Sequence, residues 1–153
     1  MASDQPPETA SEPTAEPGCI FCGIVAGDLP AEIIDSDEHT VTLLDINPAT
    51  KGHALVIPRE HTEDLMSISE ADLCHTAAAA QRVAKRMDET LQPDGFNLLN
   101  ACRVAAWQTV FHFHIHVVPR YEDDPLQLPW IPRGADMDEI SSIAATIRNG
   151  GEG

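Results

Sequence analysis

The feature that most constrains the fold is an alternating run, TVFHFHIHVVPR, between Thr109 and Arg120. In an extended chain, alternate side chains lie on opposite faces of a sheet. The run therefore predicts a strand over 109–118 that presents three imidazoles on one face, those of His112, His114 and His116. The opposite face must be core, made by Phe111, Phe113, Ile115 and Val117. A slip of one residue would bury the imidazoles and expose the phenylalanines, so the register is fixed.

The remaining pattern predicts an α+β domain with an antiparallel sheet of about five strands. Three segments separated by turn residues, AEIID, HTVTLLDI and HALVIP, predict a meander, and FNLLN predicts a further strand. Helical spacing predicts a long helix over Glu70–Leu91, with Ser67 in a capping-box position. Its core-facing residues should be Leu73, Ala77, Ala80, Val83, Ala84, Met87 and Leu91. A terminal helix is expected from Asp136, with an apolar stripe of Ile140, Ile143, Ala144 and Ile147.

The 153-residue chain should form one domain over residues 18–150, with a C-terminal extension from about 122. Residues 1–17 are acidic and rich in proline, and we expect them to be a disordered tail. The N-terminus has no basic start and no apolar segment of the kind that a secretory signal needs. A cytoplasmic location is therefore the default expectation, and no apolar run is long enough to span a membrane.

The charge is strongly acidic, with 25 Asp and Glu residues against 9 Lys and Arg and a net charge of −16. Such a surface repels nucleic acid backbones and anionic membranes. We therefore expect neither nucleic acid nor membrane partners.

The three histidines admit three kinds of chemistry: metal binding, proton relay and nucleophilic attack. Same-face neighbours on a strand lie about 6.6 Å apart, so three in succession seldom converge on one ion. A row of half-exposed strand histidines without a function is the alternative.

The cysteine pair in CIFC, Cys19 and Cys22, has a spacing that suits half of a zinc site or a redox pair. A redox pair would require a helix start in a thioredoxin-like setting, which the pattern does not indicate. Free cysteines near the chain start are the alternative.

The segment HFHIHVV resembles the signature of the histidine triad nucleotide-binding family. CIFCGIVAGDLPAEII, DINPATKGHALVIPREH and WQTVFHFHIHVVPRY resemble the family's other segments, in the same order, over Cys19–Tyr121. The resemblance implies a homodimer that binds a nucleotide and cleaves at the phosphorus next to the ribose, and the apolar residues expected around the base favour a purine. Its substrates would be nucleoside phosphoramidates or dinucleoside polyphosphates. The PR after the triad and the LPW segment favour a polyphosphate, which a divalent cation would accompany.

The resemblance also implies the site residues. His114 matches the nucleophile that forms a nucleotidyl-histidine intermediate, and His116 and His53 match its supporting histidines. Asp45 matches a ribose ligand, whereas Asn100, Gln108 and Thr109 match groups that contact the phosphate or the leaving group. The base pocket would be walled by Ile20, Phe21, Leu43, Leu44 and Ile46. Some members bind structural zinc through residues matching Cys19, Cys22, His61 and His112.

Two family glycines are missing: Trp107 precedes Gln108, and Arg103 stands in the loop after Asn100. A bulky indole and a guanidinium near the leaving group would change which leaving group is accepted. Two other functions stay open at this level. The chain would be either a nucleotide-binding regulator without turnover or a protein that binds zinc through the triad itself.

Overall fold

The computed structural model describes residues 12–150, which build a five-stranded sheet in the order β1-β2-β3-β5-β4 with every neighbouring pair antiparallel. The strands are β1 (Ile33–Ser36), β2 (Thr40–Leu44), β3 (Ala54–Pro58), β4 (Gly95–Leu99) and β5 (Ile115–Arg120). The helices are α1 (Ile20–Ala26), α2 (Glu70–Leu91) and α3 (Met137–Asn149), with one 3-10 turn (Val104–Ala106). The α+β class and the meander of β1 to β3 are thereby confirmed.

Helix α2 covers one face of the sheet and has the predicted bounds. It packs on alternate residues of the central strands, such as Val56 and Val117, in one buried cluster. Its N-cap is Ser69 rather than the predicted Ser67, because the Ser69 hydroxyl accepts the Asp72 N–H at 3.0 Å. The expectation that Ala77 faces the core is wrong: it is exposed, and the buried face runs through Thr76, Ala79, Ala80, Val83 and Met87.

Helix α1 covers the opposite face, and the sequence pattern did not predict it. Phe21 and Ile24 pack there against the other alternate residues of β2 and β3, Val41, Leu43, Leu55 and Ile57. The helix is only seven residues long and ends at Gly27, whose φ of 81° is left-handed. So short an element gives too little periodicity to be recognised in the sequence.

The histidine run is less regular than a strand over 109–118 would be. The sheet ladder begins only at Ile115, opposite Val56, and residues 109–114 lie outside it. Before that point the backbone bonds elsewhere, as the Phe113 N–H donates to the Thr62 carbonyl at 2.7 Å. Phe111 is 43% exposed and is not core, contrary to expectation. The alternation nevertheless persists, since Phe113, Ile115 and Val117 are buried beneath α2.

The C-terminal part leaves the sheet beside the edge strand β4. Arg120 holds this exit by donating to Asn97 in β4 and to Asp124 in the following turn. Helix α3 starts at its predicted N-cap, Asp136, but Ile140, Ile143 and Ile147 in its apolar stripe are exposed. In the part of the chain that the structure describes, no helix is long and apolar enough to cross a membrane.

The predicted tail lies mostly outside the described residues, and its described part, residues 12–17, contacts the domain. The His61 N–H donates to the Thr14 carbonyl at 2.9 Å. The Glu16 N–H donates to the Cys22 sulfur at 3.4 Å. This stretch therefore lies against the residues around the cysteine pair.

Candidate active site

Five imidazoles lie in two groups along the sheet, a row of three and a separate pair. The ring centroids of His114 and His116 are 5.0 Å apart, and those of His116 and His53 are 5.1 Å apart. At the other end the His61 and His112 rings meet edge to face at 4.9 Å. The cross-strand pairing of His116 with Leu55 places His53, two residues before Leu55, close to the triad.

The tautomer of His114 follows from its partner. Its Nδ1 lies 2.7 Å from the carbonyl oxygen of His112, and a carbonyl can only accept a hydrogen bond. Nδ1 therefore carries the proton, and Nε2 retains its lone pair. The ring is 5% exposed and lines a hollow of about 500 Å³. His114 thus has the protonation pattern that a nucleophilic imidazole requires.

The tautomers of His53 and His116 follow in the same way. The Ala49 N–H donates to His53 Nδ1 at 3.0 Å, so the proton of neutral His53 is on Nε2. That Nε2–H donates to His116 Nδ1 at 2.8 Å. His116 consequently holds its own proton on Nε2. The two rings form a directed chain that can deliver a proton from His116, with the Asp45 carboxylate 3.6 Å from His53 Nε2.

Asp45, His53 and His116 also group three potential metal ligand atoms within 4.8 Å of one another. The same hydrogen bonds argue against an ion there. A neutral imidazole that binds a metal through Nε2 carries its proton on Nδ1. His53 Nδ1 already accepts the Ala49 N–H. A proton on Nδ1 would therefore face the amide proton of Ala49. The cluster fits proton transfer better than metal ligation.

Burial keeps these rings uncharged. It lowers the pKa of His114 and His53 below the ordinary value, although the nearby Asp45 carboxylate opposes the shift in both. Burial, with smaller contributions from His114 and His53, lowers the pKa of His116 to about 4. At neutral pH the free protein therefore presents a neutral His114 beside a neutral His116.

The hollow that His114 and His116 line is mainly apolar. Its walls contain all five residues expected at a base pocket, Ile20, Phe21, Leu43, Leu44 and Ile46. Asp45 lines it too; one of its carboxylate oxygens accepts the Asn47 N–H at 2.8 Å. No lysine or arginine is among the described residues of the lining. An adjoining open hollow shares Ile20, Thr109 and Val110 with it and carries the carboxylates of Glu16 and Glu63.

The polar residues expected to contact phosphate differ in their availability. Thr109 is exposed and lines both hollows. Gln108 is 4% exposed, and its amide is used within the loop: Oε1 accepts the Arg103 N–H, and Nε2 donates to the Glu63 and Val110 carbonyls. Gln108 therefore holds the loop together. Asn100 donates to the carbonyl of His114 at 2.9 Å, while its buried Oδ1 has no partner among the described residues.

The loop before the triad contains two residues in left-handed conformations. Arg103 has φ 73° and ψ 164°, and Trp107 has φ 74° and ψ 18°. These are the two positions at which the sequence lacks the expected glycines. Both side chains are exposed, and neither lines the hollow that contains His114.

The second cluster joins Cys19, Cys22, His61 and His112, with ligand atoms within 4.8 Å of one another. His112 Nδ1 lies 3.5 Å from the Cys19 sulfur and 3.6 Å from the Cys22 sulfur. His61 Nδ1 lies 3.3 Å from the Cys22 sulfur. The first imidazole of the triad therefore belongs to this cluster and not to the hollow.

These distances fit a metal ion. Tetrahedral zinc with ordinary bond lengths would place sulfur and nitrogen ligands about 3.6 Å apart. His112 Nε2 is 2.9 Å from the Pro58 carbonyl, which fixes the proton on Nε2 and leaves Nδ1 free to ligate. Two backbone N–H groups, those of Cys22 and Glu16, also donate to the sulfurs. Burial raises the pKa of the Cys22 thiol, so an ion would have to displace its proton.

Cys19 is the N-cap of α1, and this helix was the main feature of the site that the sequence did not predict. A redox pair in a thioredoxin-like setting requires both this helix start and a strand before it. No strand precedes the cysteine pair in the described residues. The only available signal was Gly27, which ends the helix. The other missing groups are backbone atoms, such as the Ala49 N–H and the Pro58 carbonyl, which no side-chain motif reveals.

The fold and the row of imidazoles together define a histidine triad protein. The model of the HIT domain matches residues 26–123. The chain is 36% identical over 132 residues to "Protein hit" of Bacillus subtilis, covering 84% of this chain and 91% of that protein. It is 37% identical over 123 residues to an uncharacterized HIT-like protein of Methanocaldococcus jannaschii, with 80% and 95% covered.

Solved structures agree. A Streptococcus mutans protein, SMU.412c, superposes with a TM-score of 0.85 at 34% identity, covering 89% of this chain and 87% of that one. A Zn-bound histidine triad family protein from Mycobacterium smegmatis gives a TM-score of 0.69 at 41% identity, with 89% and 98% covered. The chain belongs to the HIT family, whose membership supports a nucleotide-binding hydrolase or transferase.

Proposed function

We propose that this protein cleaves nucleotides at the α-phosphorus through a covalent intermediate on His114. The observation that carries the proposal is the hydrogen bond from His114 Nδ1 to the His112 carbonyl, at 2.7 Å. This hydrogen bond leaves Nε2, with its free lone pair, as the reactive atom of the ring. The ring lines a hollow of nucleotide size. The apolar walls suit a purine base, and Asp45 is suited to accept hydrogen bonds from ribose hydroxyls.

In the first step, His114 Nε2 forms a bond to phosphorus while the bond from phosphorus to the leaving group breaks. An anionic phosphoryl group beside the rings favours an imidazolium. When substrate binds, a proton enters the pair at His53 Nδ1, which gives up its hydrogen bond from the Ala49 N–H, and the His53 Nε2 proton passes to His116 Nδ1. His116 then protonates the leaving group from Nε2. In the second step, water attacks phosphorus, His116 accepts a proton from the water, and the P–N bond breaks to release a nucleoside monophosphate.

The charges favour a phosphoramidate over a polyphosphate. A dinucleoside polyphosphate brings several negative charges, yet the described lining of the hollow offers no cationic side chain, and the adjoining hollow presents Glu16 and Glu63. Arg120, which follows the triad, is bound to Asp124 and Asn97. A polyphosphate would therefore have to bring a divalent cation. An amine leaving group needs protonation, which His116 is arranged to supply.

The test is a paired assay. Wild-type protein is given a nucleoside phosphoramidate and, separately, a dinucleoside tetraphosphate with and without Mg²⁺, and products are separated by chromatography. A His114→Ala variant should lose turnover, whereas His75→Ala, which removes an exposed histidine on α2, should keep it. Rapid quench and mass spectrometry should detect a nucleotidyl adduct on His114. No release by wild type above the His114→Ala background would leave only a nucleotide-binding role, whereas substantial and equal release by both proteins would refute the intermediate on His114.

Zinc is the ion proposed for Cys19, Cys22, His61 and His112, because two thiolates and two imidazoles are a zinc-preferring donor set. These residues would hold it as a structural ion. A protein that binds zinc through the triad itself is not supported, since His112 lies in this cluster whereas His116 bonds to His53. Metal analysis of wild-type and Cys22→Ser protein tests the assignment: wild type should contain one zinc per chain, and the variant less.

A homodimer is proposed through the edge strand β4. Leu98 and Leu99 in this strand are exposed, and two copies of an edge strand can pair antiparallel about a two-fold axis. The exposed stripe of α3 follows from the same edge and would also gain cover. Light scattering should give twice the chain mass for wild type and a monomer for Leu99→Lys; a monomeric wild type would exclude the interface.

A further inference from the structure

The metal cluster and the nucleophile share one residue. His112 places its side chain among Cys19, Cys22 and His61, while its backbone carbonyl accepts the proton of His114 Nδ1. We infer that the ion-binding cluster sets the position of the His114 ring, so that its four ligands act as positioning residues for the reaction. The inference rests on the proposed function, and three contacts support it.

The first contact is the peptide group between His112 and Phe113. Its carbonyl accepts from His114 at 2.7 Å, and its N–H donates to the Thr62 carbonyl at 2.7 Å. Thr62 directly follows His61, another ligand of the cluster. Both ends of the peptide group that orients the nucleophile are therefore next to ligands. An ion bound by His61 and His112 would fix the two chain segments that hold this group.

The second contact fixes the far side of the His112 ring. Its Nε2–H donates to the carbonyl of Pro58, the last residue of β3. The ring is fully buried, so it has no room for another rotamer without displacing neighbours. With its Nδ1 bound to an ion and its Nε2–H bound to the Pro58 carbonyl, His112 would be fixed at both ring nitrogens. Its backbone carbonyl would then be held within hydrogen-bond distance of His114 Nδ1.

The third contact is Phe21, which lies between the two cysteines in the sequence. Its ring is 5% exposed and meets the His112 ring at 5.8 Å and the His114 ring at 5.2 Å, edge to face in both cases. An ion held by Cys19 and Cys22 would anchor the first turn of α1. That anchor would hold Phe21 against the His114 ring, as a second restraint beside the hydrogen bond to the His112 carbonyl.

Metal loss should consequently impair catalysis more than nucleotide binding. The ribose ligand Asp45 and three of the five base-pocket residues, Leu43, Leu44 and Ile46, lie in β2 or directly after it and are not ligands of the cluster. The other two base-pocket residues, Ile20 and Phe21, lie between the ligands Cys19 and Cys22. A displacement of the reacting ring by a fraction of an ångström lowers a rate by about 10- to 100-fold. We expect kcat to fall by that factor in metal-free protein, with a smaller rise in KM.

The experiment compares zinc-loaded, chelator-stripped and zinc-reloaded wild type with Cys19→Ser and with Cys74→Ser, which removes an exposed thiol on α2. Bound metal, thermal unfolding, kcat and KM are measured, together with the NMR signal of the His114 Nδ1–H. Stripped protein and Cys19→Ser should lose that signal to exchange with water and should turn over slowly. Reloading should restore wild type, and Cys74→Ser should match it throughout.

Folded, metal-free protein with an unchanged His114 signal and unchanged kcat would overturn the inference. If stripped protein unfolds, Zn²⁺-loaded and Cd²⁺-loaded forms replace it, since the larger ion should shift the signal and change kcat; identical values would overturn the inference too. A zinc-loaded wild type that releases no product would defeat the proposed reaction alone. The NMR signal would still report whether metal and His114 are coupled.

Discussion

Replacing Arg103 and Trp107 by glycine should stabilise this protein, although glycine usually destabilises. Arg103, at φ 73° and ψ 164°, lies in a backbone region that is almost exclusive to glycine. Any other residue in this conformation destabilises the fold by about 1–3 kcal/mol. Trp107, at φ 74° and ψ 18°, lies in the left-handed helical region, which costs about 1–2 kcal/mol. Because both side chains are exposed, little packing is lost when they are removed.

Glycine has its own cost, since it adds about 0.5–1 kcal/mol of conformational freedom to the unfolded chain. The difference leaves Arg103→Gly more stable by about 1 kcal/mol and Trp107→Gly by about 0.5 kcal/mol. For a domain of this size, the two together should raise Tm by about 3–6 °C. The gains should add unless the short turn between them relaxes as a unit.

The assay is urea unfolding at pH 7.5 with matched calorimetry, and the control is Ala105→Gly. Ala105 lies between the two positions in the 3-10 turn, is exposed, and has an ordinary negative φ. This control should lose about 0.5–1 kcal/mol. Arg103→Gly with a loss as large as that of Ala105→Gly, at an unchanged m-value, would refute the claim that the backbone is strained there.

Three further predictions concern the imidazole chain. His53→Asn keeps an acceptor for the Ala49 N–H, but its amide is too short to replace the Nε2–H that donates to His116. The kcat should therefore fall about 100-fold for an amine leaving group and little for nitrophenolate; equal losses on both substrates would contradict the relay. The pKa of His116 is lowered to about 4 in the folded protein, so between pH 6.5 and about 4 the unfolded chain binds a proton that the folded protein does not. The free energy of unfolding should therefore drop by about 2 kcal/mol as pH falls over that range, and His116→Gln should show a smaller drop. Asn100→Ala should lose about 1–2 kcal/mol of stability by leaving the His114 carbonyl unpaired, which chemical denaturation would measure against His75→Ala.

Sequence periodicity was sufficient where an element was long. The 22 residues of α2 repeat their apolar positions over six turns, so both ends were predicted correctly. Seven residues of α1 cover two turns, and a cysteine N-cap gives no familiar start signal. The histidine run was predicted as a strand because period two implies extended backbone, but it does not imply a neighbouring strand. Whether a ladder forms depends on the neighbouring strand: β3 continues to Pro58, yet its pairing with β5 stops at Val56, opposite Ile115.

The same limit separates the parts of the site that the sequence could reveal from those that it could not. Side chains with distinctive chemistry, such as His114 and Cys22, carry their own signal. Gln108 shows the opposite case: its residue type suits phosphate, yet three hydrogen bonds to the loop occupy its amide. A sequence states what a side chain can bond, and only packing decides which bonds it makes.

The spacing of two between His112 and His114 now has a physical explanation that differs from metal binding by the triad. A side chain in extended backbone can turn back to the carbonyl two residues earlier, as His114 does at 2.7 Å. With a spacing of one, the rings would face opposite sides of the chain. With a spacing of two, one residue can offer its ring to the cysteine cluster and its carbonyl to the next histidine. The alternation therefore sets the tautomer of His114 and at the same time separates its ring from the cysteine cluster, where an ion would use its lone pair.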